Sequence, residues 1–261
     1  MSERSFSQEA TGGAGGLVVA HRGASDELPE NTIAAFERAI EVGADAVEFD
    51  VRLTADRIPV VLHDADVART TDGAGALRDL SLAEVKRLTI EGGNEVPTLD
   101  EALTTLSGRI AIDLEIKNIP GEPDFTPDEE PVVDATLRAL DAAAFLGPVL
   151  ISSFNPGSLR RSRHEAPQIP TGLLTEYSVD AVAALTFATA EGHPWVLPFV
   201  GQVRAAGDGF AQEVHRAGRA LGTWLVDDPA EAIALLRDGL DAVATNDPAA
   251  VVTARHEASG A

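Results

Sequence analysis

The sequence predicts an α/β fold, a (β/α)8 TIM barrel with an antiparallel hairpin after strand two. Three observations carry this. Short apolar, β-branched runs alternate with amphipathic stretches along the whole chain. There are eight of each, the count of a closed parallel barrel. One extra apolar run follows its predecessor after a short polar turn, too close for a parallel crossover.

The strands are expected at residues 17–20, 46–51, 110–116, 149–153, 172–174, 195–199, 223–226 and 242–244. Helices are expected at 32–42, 98–106, 131–145, 156–164, 179–190, 209–217, 229–237 and 248–256. Asn31 or Thr32 suits the N-cap of the first helix. The extra run, 58–62, reads as the second arm of a hairpin turning near Asp56. That turn brings His63 beside Glu48 and Asp50. Residues 17–256 are then one barrel domain, preceded by a flexible polar tail at 1–16. The acidic, Pro-rich segment 120–131 follows strand three, on the side where barrels carry their sites; it is a solvated loop or a lid.

Composition narrows the chemistry. A net charge of −22 lacks the basic face that displaces counterions from nucleic acid, and it disfavours adsorption to an anionic membrane. No apolar run reaches the ~18 residues of a membrane-spanning helix, so no stable membrane anchor is expected. The N-terminus lacks the basic start and apolar stretch of a signal peptide, which makes the cytoplasm the expected location. The absence of cysteine excludes disulfides, zinc-thiolate sites, iron–sulfur clusters and thiol nucleophiles. Lysine is confined to Lys86 and Lys117, so a lysine at a strand end calls for a reason.

In a barrel that reason is sought at the C-terminal ends of the strands. Strand one ends in His21–Arg22–Gly23, strand two carries Glu48–Phe49–Asp50, the hairpin ends in His63–Asp64, and strand three ends in Glu115–Ile116–Lys117. Glu48 and Asp50 share one strand face, with Phe49 turned towards the helices. Glu115 adds a third carboxylate from the neighbouring strand. Three carboxylates together are costly unless something positive sits among them. A hard divalent cation, Mg²⁺ or Ca²⁺, resolves this; ion pairs to Arg22, Arg52 or Lys117 are the alternative. Lys117 and Arg22 suit an anionic substrate group such as phosphate, and Lys117 equally suits a salt bridge to Glu115 or Glu48. His21 and His63 suit acid–base work near neutral pH. Phe154 and Trp224, at later strand ends, pack in the core or line a substrate pocket. His193 precedes a strand, at the end of the barrel away from catalysis.

These motifs, taken in order, resemble the signature of glycerophosphodiester phosphodiesterases. They are His21–Arg22–Gly23, Pro29–Glu30–Asn31–Thr32, Glu48–Phe49–Asp50–Val51, His63–Asp64, Arg69–Thr70–Thr71 and Glu115–Ile116–Lys117, followed by Ser152–Ser153–Phe154, Trp224–Leu225–Val226 and Thr245–Asn246–Asp247–Pro248. The resemblance covers about residues 17–250. It implies a barrel of the phosphoinositide-phospholipase type that hydrolyses glycerophosphodiesters to glycerol 3-phosphate and an alcohol. It makes Glu48, Asp50 and Glu115 the ligands of one divalent cation, His21 and His63 the acid and base, and Arg22 and Lys117 the phosphate holders. The small domain many members insert is reduced here to a loop and a short helix within 65–99. One departure stands out: Asp227 occupies a position where the family often has Asn. The expected partner is a small-molecule substrate, with a homodimer left open. A related phosphodiesterase acting on lysolipids, a non-catalytic sugar-phosphate binder and a metal-dependent sugar isomerase or aldolase are the competing readings.

Overall fold

In the computed structural model, which describes Phe6 and residues 16–127 and 129–259, eight parallel strands close on themselves. They are β1 (Leu17–His21), β2 (Ala46–Leu53), β4 (Ala111–Ile116), β5 (Val149–Ser153), β6 (Thr171–Thr175), β7 (Trp195–Pro198), β8 (Ala220–Thr223) and β9 (Ala242–Thr245). Closure comes from β1, which pairs with β9 on one edge and β2 on the other. The short β3 (Pro59–Val61) runs antiparallel to β2, with Val51 opposite Val61 and Leu53 opposite Pro59, a register centred on residue 56 as the sequence predicts. The pairing of β1 with β2 ends at His21 and Glu48. Beyond that point β2 has a vacant edge, and β3 fills it.

The helices form the outer layer: α1 (Ile33–Glu41), α2 (Leu82–Val85), α3 (Leu99–Leu106), α4 (Pro131–Ala143), α5 (Pro156–Glu165), α6 (Ala181–Glu191), α7 (Val200–Ala206), α8 (Phe210–Arg216), α9 (Pro229–Arg237) and α10 (Pro248–Ser259). Helix α1 shows why they dock. Thr32 caps it by accepting a hydrogen bond from the Ala35 amide at 3.2 Å. Ala35, Phe36 and Ala39 then form the buried face. Phe36 meets Phe49 with ring centroids 5.3 Å apart, so Phe49 faces the helices while Glu48 and Asp50 face inwards. Helices α4, α5 and α9 start on proline, whose missing N–H costs nothing in the first turn.

Two elements differ from the sequence expectation. The strand expected at 223–226 lies at Ala220–Thr223, where Gly222, a weak strand former by propensity, fits a crowded wall: a Cβ there would come within 2.6 Å of Leu197. The apolar Trp224–Leu225–Val226 run follows the strand and forms the rim. Helix α7, with Gly201 in its first turn, is not anticipated by periodicity. The 65–99 segment holds α2 and two 3₁₀ turns at Leu77–Asp79 and Glu91–Gly93, packed with Val60 and Leu62 of the hairpin arm into a small core. Of the expected tail, residues 1–5 and 7–15 lie outside the described residues. Phe6 is buried inside the barrel, edge-on to Trp195 at 5.9 Å. Among the described residues no helix is long and apolar enough to cross a membrane.

Candidate active site

Strand alternation builds one wall of the barrel interior from ionisable groups. Glu48 and Asp50 on β2 stand beside Asp113 and Glu115 on β4, because Glu48 pairs with Asp113 and Asp50 with Glu115 in register. Ligand oxygens of Glu48, Asp50 and Glu115 lie within 4.8 Å of one another, and all three residues are buried. Lys117, two residues beyond Glu115, places Nζ 2.5 Å from Glu115 and 3.0 Å from Asp50. Arg22 lies 3.3 Å from Asp50 and 2.8 Å from Glu30. The turn after β1 is sharp. Arg22 sits at φ 59°, and Gly23 at φ 86°, where a Cβ would come within 2.7 Å of the Ala35 backbone. This turn aims the Arg22 amide at Glu48, 3.0 Å away.

The charges do not cancel. Burial opposes ionisation of Asp50, but Lys117 and Arg22 outweigh it and hold its carboxyl far below the usual range. Glu48 goes the other way: burial, then repulsion from Asp50 and Glu115, push it well above the usual range. Glu48 Oε1 is buried and meets no hydrogen-bond donor. Lys117 is held above the ordinary lysine value by Asp50 and Glu115 in spite of its burial. Two cations serve three carboxylates, and Arg22 also serves Glu30. The ion-pair reading therefore accounts for Asp50 and Glu115 and leaves Glu48 over. Arg52, the other candidate partner, turns away; it is fully buried and binds Asp124, Glu122 and the His63 carbonyl. Oxygen ligands with surplus negative charge fit a hard divalent cation.

Both histidines reach this cavity. His21 Nδ1 lies 2.7 Å from Asn246 Oδ1, and its Nε2 faces Glu48 at 3.9 Å. His63 Nδ1 lies 2.5 Å from Asp64 Oδ1. An amide oxygen and a carboxylate can only accept, so each ring donates from Nδ1 and turns Nε2 to the cavity. Burial, reinforced by the Arg22 charge, lowers His21 to about 4. Asp64 is tied to Arg69, and Arg69 to Glu30, so one chain of ion pairs links His63 to Arg22 round the rim.

Several residues that support the site gained no role from sequence. Asn31, at φ 58°, donates to Asp50 at 2.7 Å; capping falls to Thr32 instead. Asn246 is fixed by Asp227, which accepts from its side-chain amide at 3.0 Å and its backbone N–H at 2.8 Å. Asp227 thus points back towards the site. Asn246 was findable, as a polar residue just past the last strand. Asn31 stood out only as a cap candidate and Asp227 only as a departure from the family pattern, because their contacts to Asp50 and Asn246 cross between elements. Asp113, two residues before Glu115, is pushed up to about 7 by burial.

The opposite wall is apolar. Phe154 and Trp224 both line the cavity, with rings edge-on at 5.5 Å, and Phe154 lies 5.9 Å beneath the Lys117 ammonium. The cavity measures about 350 Å³ and runs from this rim down to Phe6. The segment after β4 is pinned by Arg52 through Glu122 and Asp124, and by Asn118, which accepts from the Thr126 amide and donates to Glu130. His193, as expected, is away from the site, buried against Thr171 at 2.9 Å.

Carboxylates short of positive charge, with Lys117 and Arg22 among them at the rim where barrels do their chemistry, suit a barrel hydrolase of phosphate esters. Known proteins agree. The family model described as the glycerophosphoryl diester phosphodiesterase family matches residues 21–250. A glycerophosphodiester phosphodiesterase of Caldanaerobacter subterraneus is 34% identical over 90% of this chain and 96% of its own. One of Bacillus subtilis is 31% identical over 89% and 84%. An Oleispira antarctica phosphodiesterase, solved in complex with its product sn-glycerol-3-phosphate, superposes with a TM-score of 0.80 at 29% identity, covering 92% of this chain and 97% of that one. The chain belongs to the glycerophosphoryl diester phosphodiesterase family, and its enzyme class is that of the phosphoric diester hydrolases.

Proposed function

We propose that the chain hydrolyses glycerophosphodiesters to glycerol 3-phosphate and an alcohol, with Glu48, Asp50 and Glu115 holding one Mg²⁺ or Ca²⁺. The observation that carries this is the buried triad within 4.8 Å, left with more negative charge than Lys117 and Arg22 neutralise. When bound, the cation supplies charge stabilisation for the phosphoryl oxygens. Arg22 and Lys117 hold the remaining phosphate charge at the rim. His21 takes the proton of the nucleophile at Nε2, with Nδ1–H anchored on the neutral Asn246 amide. His63 gives its proton to the leaving alcohol; burial lowers its pKa, which makes that proton easier to give, and the Asp64 carboxylate fixes the ring through Nδ1. Phe154 and Trp224 shield the reacting centre from water on the far side.

The test is a panel of glycerophosphodiesters, glycerophosphocholine and glycerophosphoethanolamine among them, run with a metal series and read as released glycerol 3-phosphate. Turnover restored by Mg²⁺ or Ca²⁺ after chelation supports the assignment. Undiminished turnover in thoroughly demetallated protein would overturn it.

A further inference from the structure

Arg52 is fully buried, and it belongs neither to the carboxylate triad nor to the phosphate cations. Its guanidinium reaches in three directions. Nε donates to the His63 carbonyl at 2.7 Å, Nη1 to both oxygens of Asp124 at 3.0 and 2.8 Å, and Nη2 to Glu122 at 2.5 Å. Glu122 and Asp124 belong to one turn, which Asn118 closes by accepting from the Thr126 amide at 2.8 Å. Ile119 and Glu122 of that turn line the cavity. Anchoring a loop explains the two carboxylates. It does not explain the third contact, made to the backbone of the residue that gives the proton.

That contact falls where the hairpin runs out. Arg52 pairs in register with Val60, and β3 ends at Val61. The Leu62 amide still donates to the Asp50 carbonyl, at 3.1 Å. His63 comes next, and its carbonyl takes a hydrogen bond from the Arg52 side chain. Asp64 fixes the ring through Nδ1. The Asp64 contact sets how the ring turns; the Arg52 contact sets where the backbone that carries it stands. A planar guanidinium holds three directions at once, which the compact ammonium of a lysine does not. The arginine is held in turn. Stripped of its carboxylates it would be an uncompensated buried charge, so it keeps this orientation only while Glu122 and Asp124 stay in place.

We propose that Arg52 is a positioning residue for proton donation: anchored by Glu122 and Asp124, it holds the His63 backbone so that the ring meets the leaving oxygen. This role rests on the phosphodiesterase reading above and adds what aims its acid. As the P–O bond to the leaving alcohol breaks, its electron pair stays on the alcohol oxygen and the His63 proton moves onto it. A general acid works only within hydrogen-bond reach of that oxygen, and a displacement of about 1 Å costs up to about 100-fold. An arginine that merely supported the cavity wall would slow every substrate alike. One that aims the acid matters only where the leaving group needs the proton.

The experiment compares sn-glycero-3-phosphocholine, whose alkoxide leaves poorly without a proton, with the p-nitrophenyl ester of glycerol 3-phosphate, whose phenolate leaves without one. In metal-loaded enzyme, Arg52→Met should lower kcat on the choline ester by about 10- to 100-fold and on the nitrophenyl ester by about threefold or less. KM should stay within about threefold for both, because Arg22 and Lys117 still hold the phosphate. Asp124→Asn, a near-isosteric change in the turn, should show the same split at about 3- to 10-fold, and it decides the matter by itself if Arg52→Met does not fold. Equal losses on the two esters, or undiminished turnover of the choline ester in the folded variants, overturn the positioning role and leave the phosphodiesterase reading standing. Wild-type enzyme that turns over neither ester overturns both.

Discussion

Asn246→Ala tests the acid–base geometry at a residue that touches neither substrate nor cation. Asn246 Oδ1 accepts from His21 Nδ1 at 2.7 Å and from the Ser25 hydroxyl at 3.0 Å. Asp227 holds its amide so that the oxygen, and not the nitrogen, faces the ring. As His21 takes a proton it becomes a cation, and this hydrogen bond changes from neutral to charge-assisted. The strengthening amounts to about 1–2 kcal/mol of transition-state stabilisation, the difference between the two kinds of bond. Removing it should lower kcat about 5- to 30-fold. KM should change little, because Arg22 and Lys117 still hold the phosphate. The sign of the pH effect also follows. The Asn246 contact raises the His21 pKa. Its loss should therefore shift the acidic limb of the kcat profile to lower pH, since the base stays unprotonated further down. Steady-state kinetics on glycerophosphocholine across the acid range reads all three quantities. A kcat within about twofold of wild type, or a loss carried by KM alone, would refute the idea that Asn246 orients the base.

Replacing His63 by Ala should lower kcat by about 10²-fold or more if it protonates the leaving alcohol; near-normal turnover with an ordinary leaving group counts against the role. Glu48→Gln should leave the metal-free protein as stable as before or more so, because it removes a carboxyl that burial and Asp50 disfavour. At a metal concentration about 100 times Kd, wild-type protein should gain about 2.7 kcal/mol, a Tm rise of about 5–10 °C; the variant should lose most of it, as differential scanning calorimetry would show. His193 is buried, and burial lowers it from 6.5 to about 4. Its unfolded form binds a proton the folded form does not, so stability is full above pH 6.5 and falls as pH drops towards about 4. The loss should be at most about 3 kcal/mol, and His193→Asn should remove that part of the slope in urea titrations at several pH values. Phe49→Ala should cost about 3–5 kcal/mol of unfolding free energy, because the ring is fully buried against Phe36; a cost below about 1 kcal/mol would mean that contact is not part of the core.

Much of this protein was written into local pattern. Strand and helix alternation fixed the barrel, and the two-residue spacings Glu48–Asp50 and Glu115–Lys117 fixed which side chains face inwards, because strand geometry depends only on neighbours along the chain. The hairpin about Asp56 was legible for the same reason. What sequence left open was the balance between ion pairs and metal, since that depends on how many cations reach three buried carboxylates. Folding brought Lys117 and Arg22 to Asp50, sent Arg52 to Glu122 and Asp124, and left Glu48 Oε1 without a donor. Asn31 on Asp50 and the Asp227–Asn246–His21 chain were equally hidden, being contacts between residues 19 to 225 positions apart. Sequence determined which groups line the barrel; only the tertiary structure decided which of them neutralise one another, because electrostatic pairing in a buried site is settled by distance through space.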